Sequence, residues 1–287
     1  MNRRGFVGGL AALGLAGPLA ARELVWDSGA PAEAWGVQLY TVRDRMAEDV
    51  RGTLEAVAEM GYREVEFAGL FDWTPSEMRA LLDDLGLRAA SSHHPMQVIR
   101  DDWPAALDAA ETLGQSLVVL PSLPPDARTP DGLRSLATEL NRAGEAARAA
   151  RARGLELGFH NHAFEVTPLE DPVRRGSPER PLDILLAGTD PELVGFELDL
   201  FWAVEGGTDP EDWFRGHPGR FHAVHVKDRS RSGEMVTVGA GTLDFSHLLQ
   251  VGQDVGGVRH AFVEHDRPRD SMATLRDAIR YLNSLPG

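Results

Sequence analysis

The sequence predicts one α/β domain, a single (β/α)8 TIM barrel, on three observations. Short apolar runs alternate with longer amphipathic stretches, and the alternation occurs eight times. Strands separated by helices pair in parallel through right-handed crossovers, and eight such units suggest closure. No glycine-rich phosphate loop follows the first strand, which weighs against an open dinucleotide-binding sheet.

Residues 1–22 read as a signal peptide of the twin-arginine type. Arg3-Arg4 precede Phe6, and a Gly/Ala/Leu-rich run continues to Ala21, giving a charged region, an apolar region and small residues in order. The run is too short and glycine-rich to span a membrane, and no later segment approaches 18 uncharged apolar residues. The expected location is the periplasm, reached by a pathway that carries folded proteins, with no stable membrane insertion after processing. Residues 23–34 form a linker, and 35–287 the barrel.

Predicted strands cover Trp35 to Leu39, Arg63 to Phe67, Leu87 to Ser91, Ser116 to Leu120, Leu155 to Phe159, Val194 to Leu198, Phe221 to Val226 and His260 to Val263. Predicted helices fill 49–60, 75–85, 103–113, 131–152, 181–187, 210–215, 245–255 and 271–284. Thr74 is placed to cap the second helix, with Pro75 at its first position and Gly86 as its stop.

The chain has 287 residues, 43% hydrophobic and 25% charged, as expected of a soluble domain. A net charge of −15 disfavours nucleic acid as a partner. With no cysteine, thiolate catalysis and Cys-based zinc sites are excluded. The outer helices of a barrel leave room for a homo-oligomer.

Active sites of such barrels lie at the C-terminal ends of the strands. There the sequence places Glu64-Val65-Glu66, Ser92-His93-His94, His160-Asn161-His162, Glu197-Leu198-Asp199, His225-Val226-Lys227 and Glu264-His265-Asp266. Side chains alternate along a strand, so one inward face can present His160, Asp199, His225 and Glu264 around one point. Two imidazoles and two carboxylates suit one divalent ion, Mn²⁺, Co²⁺, Zn²⁺ or Fe²⁺. Glu264, His162 and Lys227 are the candidate catalytic groups. Glu66, His94 and Trp202 are the candidate substrate contacts, the indole as a stacking surface for a sugar ring.

At these strand ends the chain resembles the xylose isomerase-like TIM-barrel superfamily, especially its sugar phosphate isomerases/epimerases. Gly158-Phe159-His160-Asn161-His162, Leu198-Asp199 with Trp202, Val224-His225-Val226-Lys227-Asp228, Gly239-Ala240-Gly241 and Val263-Glu264 carry the resemblance. It implies a small-molecule carbohydrate substrate and a metal held by Glu, Asp, His and Glu on strands five to eight. Asp199, His225 and Glu264 match the last three positions, and His160 replaces the first glutamate. That replacement removes one of the two carboxylates used as an acid/base pair by epimerases of the superfamily.

The reading expected is a metal-dependent isomerase or epimerase working through an enediolate. The alternative is a lyase, dehydratase or keto-glycoside-cleaving enzyme, in which the same enediolate expels a β-substituent. The AP endonuclease branch fits poorly with the acidic charge and the export signal. A non-catalytic sugar-binding barrel would need neither a metal nor Lys227 and His162 beside it.

Overall fold

The structure is a computed structural model that describes residues 35–149, 155–169 and 179–286. The signal-peptide and linker segments and the predicted helix end at 150–152 lie outside the described residues. Eight strands form a closed barrel: β1 (Gly36–Gln38), β2 (Glu64–Phe67), β3 (Arg88–His93), β4 (Leu117–Leu120), β5 (Glu156–His160), β6 (Val194–Asp199), β7 (Phe221–Val226) and β8 (His260–Val263). Each pairs in parallel with its sequence neighbour, and β8 closes the ring on β1. Around it run α1 (Val50–Met60), α2 (Pro75–Leu85), α3 (Trp103–Leu113), α4 (Pro130–Ala149), α5 (Pro181–Gly188), α6 (Pro210–Gly216), α7 (Phe245–Val251) and α8 (Ser271–Leu282). Among the described residues, no helix is long and apolar enough to cross a membrane.

Helix ends follow local chemistry. Thr74 and Glu77 satisfy each other's backbone N–H groups in a capping box at the start of α2. Gly86 ends that helix in the left-handed region, at φ 67°. The predicted helix 245–255 divides instead: α7 stops at Val251, and Gly252–Gly256 form a wide π turn. These glycines lie on the Phe214 ring, where a Cβ on Gly256 would come within 2.6 Å of an aromatic carbon.

The barrel wall divides the apolar interior in two. Most of the core lies between strands and helices, whereas Ala90, Leu117, Val119, Ala223 and Phe262 form a separate cluster. Phe262 fills the barrel axis because Gly36 on the neighbouring strand leaves it room, a Cβ there lying 2.4 Å from the ring. Below this plug, at the N-terminal ends of the strands, polar groups pair off. Glu64 meets Arg88 and His260, and Glu156 meets Arg259 and His222. The plug thus seals the floor beneath the opposite, C-terminal face.

The sequence pattern did not single out the short helices Arg43–Glu48, Met96–Asp101, Ala163–Val166 and Leu200–Glu205. Nor did it show the small antiparallel hairpin pairing 228–229 with 235–236. All follow strand ends, so they build the rim of the C-terminal mouth.

Two outcomes follow. Gly36→Ala should destabilise the fold by roughly 1–3 kcal/mol through overpacking against Phe262, measurable in urea unfolding, and Phe262→Leu in the same chain should recover part of it. Burial pushes the Glu156 carboxyl up, but His222 and Arg259 outweigh it and hold its pKa at about 2, below the ordinary 4.5. A depressed folded pKa stabilises above the unfolded value and is lost as pH falls through the folded one. Glu156→Gln should therefore lower Tm at neutral pH, and the gap to the wild type should close between about pH 4.5 and 2.

Candidate metal centre and active site

A cavity of about 520 Å³ opens at the C-terminal ends of the strands. Tyr40, Arg43, His93, His160, His162, Lys227, Glu264, Asp266 and Arg267 are among its walls. The polar side chains at its base form two tiers joined by one ring, His225.

The upper tier holds Asp199, His225 and Glu264. Register pairs Asp199 on β6 with His225 on β7, so both reach the same height. The Nδ1 of His225 lies 2.6 Å from Glu264 Oε2 and 3.8 Å from Asp199 Oδ2. One donor atom from each of the three falls within 4.8 Å of the others. Asp199 divides its work. Its Oδ1 accepts from the Trp202 N–H at 2.9 Å, capping Leu200–Glu205, and its own N–H donates to Asn161 at 3.0 Å. Only Oδ2 is left to face the site.

Lys227 stands beside this trio. Its ammonium is 2.9 Å from Asp199 Oδ2, 2.8 Å from Glu264 Oε2 and 2.8 Å from Asp266 Oδ1. Burial works against the charge, but the three carboxylates outweigh burial and hold the pKa well above that of an ordinary lysine. Lys227 is thus a fixed cation and cannot serve as a base near neutral pH. Burial raises the Glu264 carboxyl, yet Lys227 and His225 overcome it and leave it well below the usual range. Glu264 is ionised and weakly basic.

The lower tier holds Glu66, Glu197, His93 and His160. Glu66 accepts from Gln38 Nε2 at 2.8 Å and lies 2.7 Å from His225 Nε2. Burial lowers the His225 pKa, but Glu197 and Glu264 outweigh it and hold it well above the ordinary value; were a cation to take Nδ1, Glu66 would hold the remaining proton on Nε2. Glu197 lies 3.0 Å from His93, 3.3 Å from His160 and 3.2 Å from His225. Burial raises the Glu197 carboxyl, as does Glu66, but the imidazoles outweigh both and bring its pKa to about 2. Burial lowers the His93 pKa, while Glu66 and Glu197 drive it up to about 9.

The residues fit a divalent cation. One atom from each of the four predicted ligands, His160 Nδ1, Asp199 Oδ2, His225 Nδ1 and Glu264 Oε2, is buried and held only by ion pairs with neighbouring charged groups. Mixed imidazole and carboxylate donors of this kind suit a transition metal. His160 sits between the tiers: Nε2 is 3.8 Å from Asp199, whereas Nδ1 faces Glu197. It groups geometrically with His93, Glu197 and His225 rather than with the upper trio, which departs from the expected single four-ligand point.

The other predicted residues divide as follows. His162 lines the cavity, its ring 4.9 Å from that of His160 and 5.7 Å from Trp202. Burial keeps its pKa below the ordinary value, against the pull of Asp199, so it is a neutral imidazole at pH 7. Trp202 backs His162 instead of lining the cavity, and Lys227 lies 5.9 Å over its ring. Glu66 does not line the cavity; it is fully buried beneath it, against His225. His94 does not line it either. It turns to Ser92 Oγ at 2.8 Å and packs edge-on against Trp103, with burial and His93 pushing its pKa down to about 4. The inward place belongs to His93. Sequence reasoning also passed over Glu197 as a site residue, although it shares the inward face of Asp199 two residues away.

This chain belongs to the xylose isomerase-like TIM barrel family, whose model matches residues 54–285. It is 27% identical over 200 residues to an inosose dehydratase of Geobacillus kaustophilus. That match takes in 61% of this chain and 60% of the relative, so the chain spans about three fifths of the length of the curated relative it matches. A crystal structure of a sugar phosphate isomerase/epimerase from Parabacteroides distasonis superposes with a TM-score of 0.78 at 27% identity, covering 90% of this chain and 96% of that one. A second structure with the same description, from the same organism, gives a TM-score of 0.77 at 24% identity over 88% and 99%.

The divided role of Asp199 yields a paired prediction. Asp199→Asn keeps the Oδ1 cap but withdraws one of the three carboxylates around the buried Lys227 ammonium, so the metal-free Tm should fall along with the metal content measured by elemental analysis. Asp199→Ala removes the cap as well and should cost a further ~1 kcal/mol of stability.

Proposed function

We propose that this chain is a divalent-metal-dependent enzyme that removes the proton next to a carbonyl of a sugar or keto-sugar and then expels a β-substituent, the chemistry of a lyase or dehydratase. The observation that carries this reading is the asymmetry of the mouth: one neutral imidazole, His162, faces one locked ammonium, Lys227. Epimerisation through a planar enediolate needs a proton-transferring group on each face. The position of the expected second carboxylate is taken by His160, whose pKa burial and His225 hold well below the ordinary value. Elimination needs one base and one electrophilic partner. The likeness to an inosose dehydratase supports the same choice.

A cation held by Asp199, His225 and Glu264, with His160 Nε2 beside them, would polarise the carbonyl as a Lewis acid. The remaining work falls to the chain's own side chains. His162 accepts the α-proton on its free ring nitrogen and, as the imidazolium so formed, gives a proton to the departing β-oxygen, which leaves as water or an alcohol. Lys227, fixed by Asp199, Glu264 and Asp266, places positive charge where negative charge develops on substrate oxygen. Tyr40 and Arg43 form one wall of the cavity, the guanidinium 3.9 Å over the ring, and present a flat face to a sugar.

Isomerisation between keto- and aldo-sugars also needs only one base. The 27% identity to a sugar phosphate isomerase/epimerase over 90% of the chain favours it as the second reading. We place the enzyme in the periplasm after twin-arginine export, on the strength of Arg3-Arg4-Gly5-Phe6 and the run that follows. The N-terminus of the mature protein, read by mass spectrometry from periplasmic extract, tests that placement.

The function is tested by incubating metal-reconstituted enzyme with keto-sugars and keto-glycosides in D₂O. Exchange at the α-carbon with a product lighter by water or an alcohol supports the lyase, and an isomer of equal mass supports the second reading. Absence of exchange across the panel overturns both. His162→Gln should abolish exchange while metal stays bound. In the wild type, kcat/KM should fall on the acid side with a midpoint below 6.5, because protonation of His162 removes the base and its pKa lies under that ordinary value.

A further inference from the structure

The lower tier carries an observation that a single mouth cation does not explain. Glu66 and Glu197 are both fully buried. Among the described residues their side-chain partners are Gln38 and three imidazoles, with no lysine or arginine. Lys227 is occupied above, by Asp199, Glu264 and Asp266. The two buried anions therefore depend on imidazoles for their balance, with burial lowering His93 but Glu66 and Glu197 holding its pKa at about 9, and a divalent ion would take over that role.

We propose that the lower tier is a second divalent-metal site, formed by His93 Nε2, His160 Nδ1, His225 Nε2 and Glu197 Oε2. These side chains come from four strands, and one donor atom from each lies within 4.8 Å of the others. Glu197 Oε2 is 3.0 Å from His93 Nε2, 3.3 Å from His160 Nδ1 and 3.2 Å from His225 Nε2. Four donors each about 2.0–2.1 Å from a tetrahedral zinc-like ion stand about 3.3 Å apart, and the three separations from Glu197 Oε2 match edges of such a tetrahedron. Glu197 Oε1 and the neighbouring Glu66 Oε1 are buried without hydrogen bonds, and His160 Nδ1 has its 3.3 Å contact with Glu197 Oε2. His93 and His160 line the mouth cavity and give an ion its way in.

The site shares His225 with the mouth. Its Nδ1 faces Asp199 and Glu264, and its Nε2 faces Glu197. Were both cations bound, His225 would give up its ring protons and His93 the proton on Nε2, all released to solvent. His160 divides in the same way, with Nδ1 below and Nε2 toward Asp199. Glu66 then lies beside the lower ion as a further carboxylate. The proposal goes beyond the function proposed above and does not depend on it.

The test is metal stoichiometry of the full chain, stripped with a chelator and reconstituted separately with Zn²⁺ and Co²⁺. The wild type is expected to bind two equivalents. Glu197→Gln and His93→Gln should each retain one, and Asp199→Asn should retain the other. The Co²⁺ form gives a second readout: a tetrahedral site of three imidazoles and a carboxylate absorbs intensely in the visible, and this band should persist in Asp199→Asn and vanish in Glu197→Gln. Circular dichroism and Tm identify any variant that fails to fold. One equivalent in the wild type, kept by Glu197→Gln and His93→Gln and lost in Asp199→Asn, overturns the lower site and leaves the mouth cation standing. One equivalent lost in both lower-tier variants and kept by Asp199→Asn supports the lower site and removes the mouth cation instead.

Discussion

Four carboxylates, Glu66, Glu197, Asp199 and Glu264, converge on the imidazole of His225 in a space almost closed to water. Negative charge at that density is unfavourable in a protein interior unless it is balanced, and much of the surrounding structure serves the balance. Lys227 is immobilised among the upper carboxylates. His93 and His160 close on the lower ones. Gln38 gives Glu66 a neutral donor. The demand for positive charge suits the site to a divalent cation, and it also fixes which of its groups can move a proton.

That last consequence separates two similar-looking histidines. His160 and His162 stand two residues apart on the inward side of the same strand end. His160 is sealed and shared between carboxylates, whereas His162 sits on the cavity wall with its ring against Trp202. Only the second combines access with a neutral ring. Lys227, one of the residues whose type invites the role of base, is excluded by its three carboxylate partners. Chemistry in the mouth is therefore set by neighbours more than by residue identity.

The barrel supplies the rigidity this arrangement needs. Phe262 fills the axis against Gly36, so the lower tier rests on a packed floor. The ion pairs of Glu64 and Glu156 close the far end with their own polar partners, separate from the mouth. Asp228 performs a similar service at the rim, where its carboxylate accepts the N–H groups of Gly239 and Gly241 at 2.9 and 2.8 Å and folds that loop back on the end of β7. A Cβ on Gly241 would lie 2.1 Å from the same carboxylate, so the Gly239-Ala240-Gly241 segment has a steric reason for its composition.

The sequence by itself determined the eight alternating units, their helix caps and the inward face of strands five to eight. Those features are local: strand alternation, apolar spacing and capping chemistry act over a few residues. It therefore placed Asp199, His225 and Glu264 together and His162 near them. Tertiary structure alone decided which of His93 and His94 faces inward, because adjacent histidines offer both parities and the register shift between β2 and β3 at Val65/Glu66 breaks simple counting. It also decided that Glu66 and Glu197 lie below the mouth instead of on its wall. Glu66 and His225 are 159 residues apart in sequence and meet at 2.7 Å only when the barrel closes. The depth of a side chain along the barrel axis depends on the stagger of all eight strands, and no short stretch of sequence encodes that.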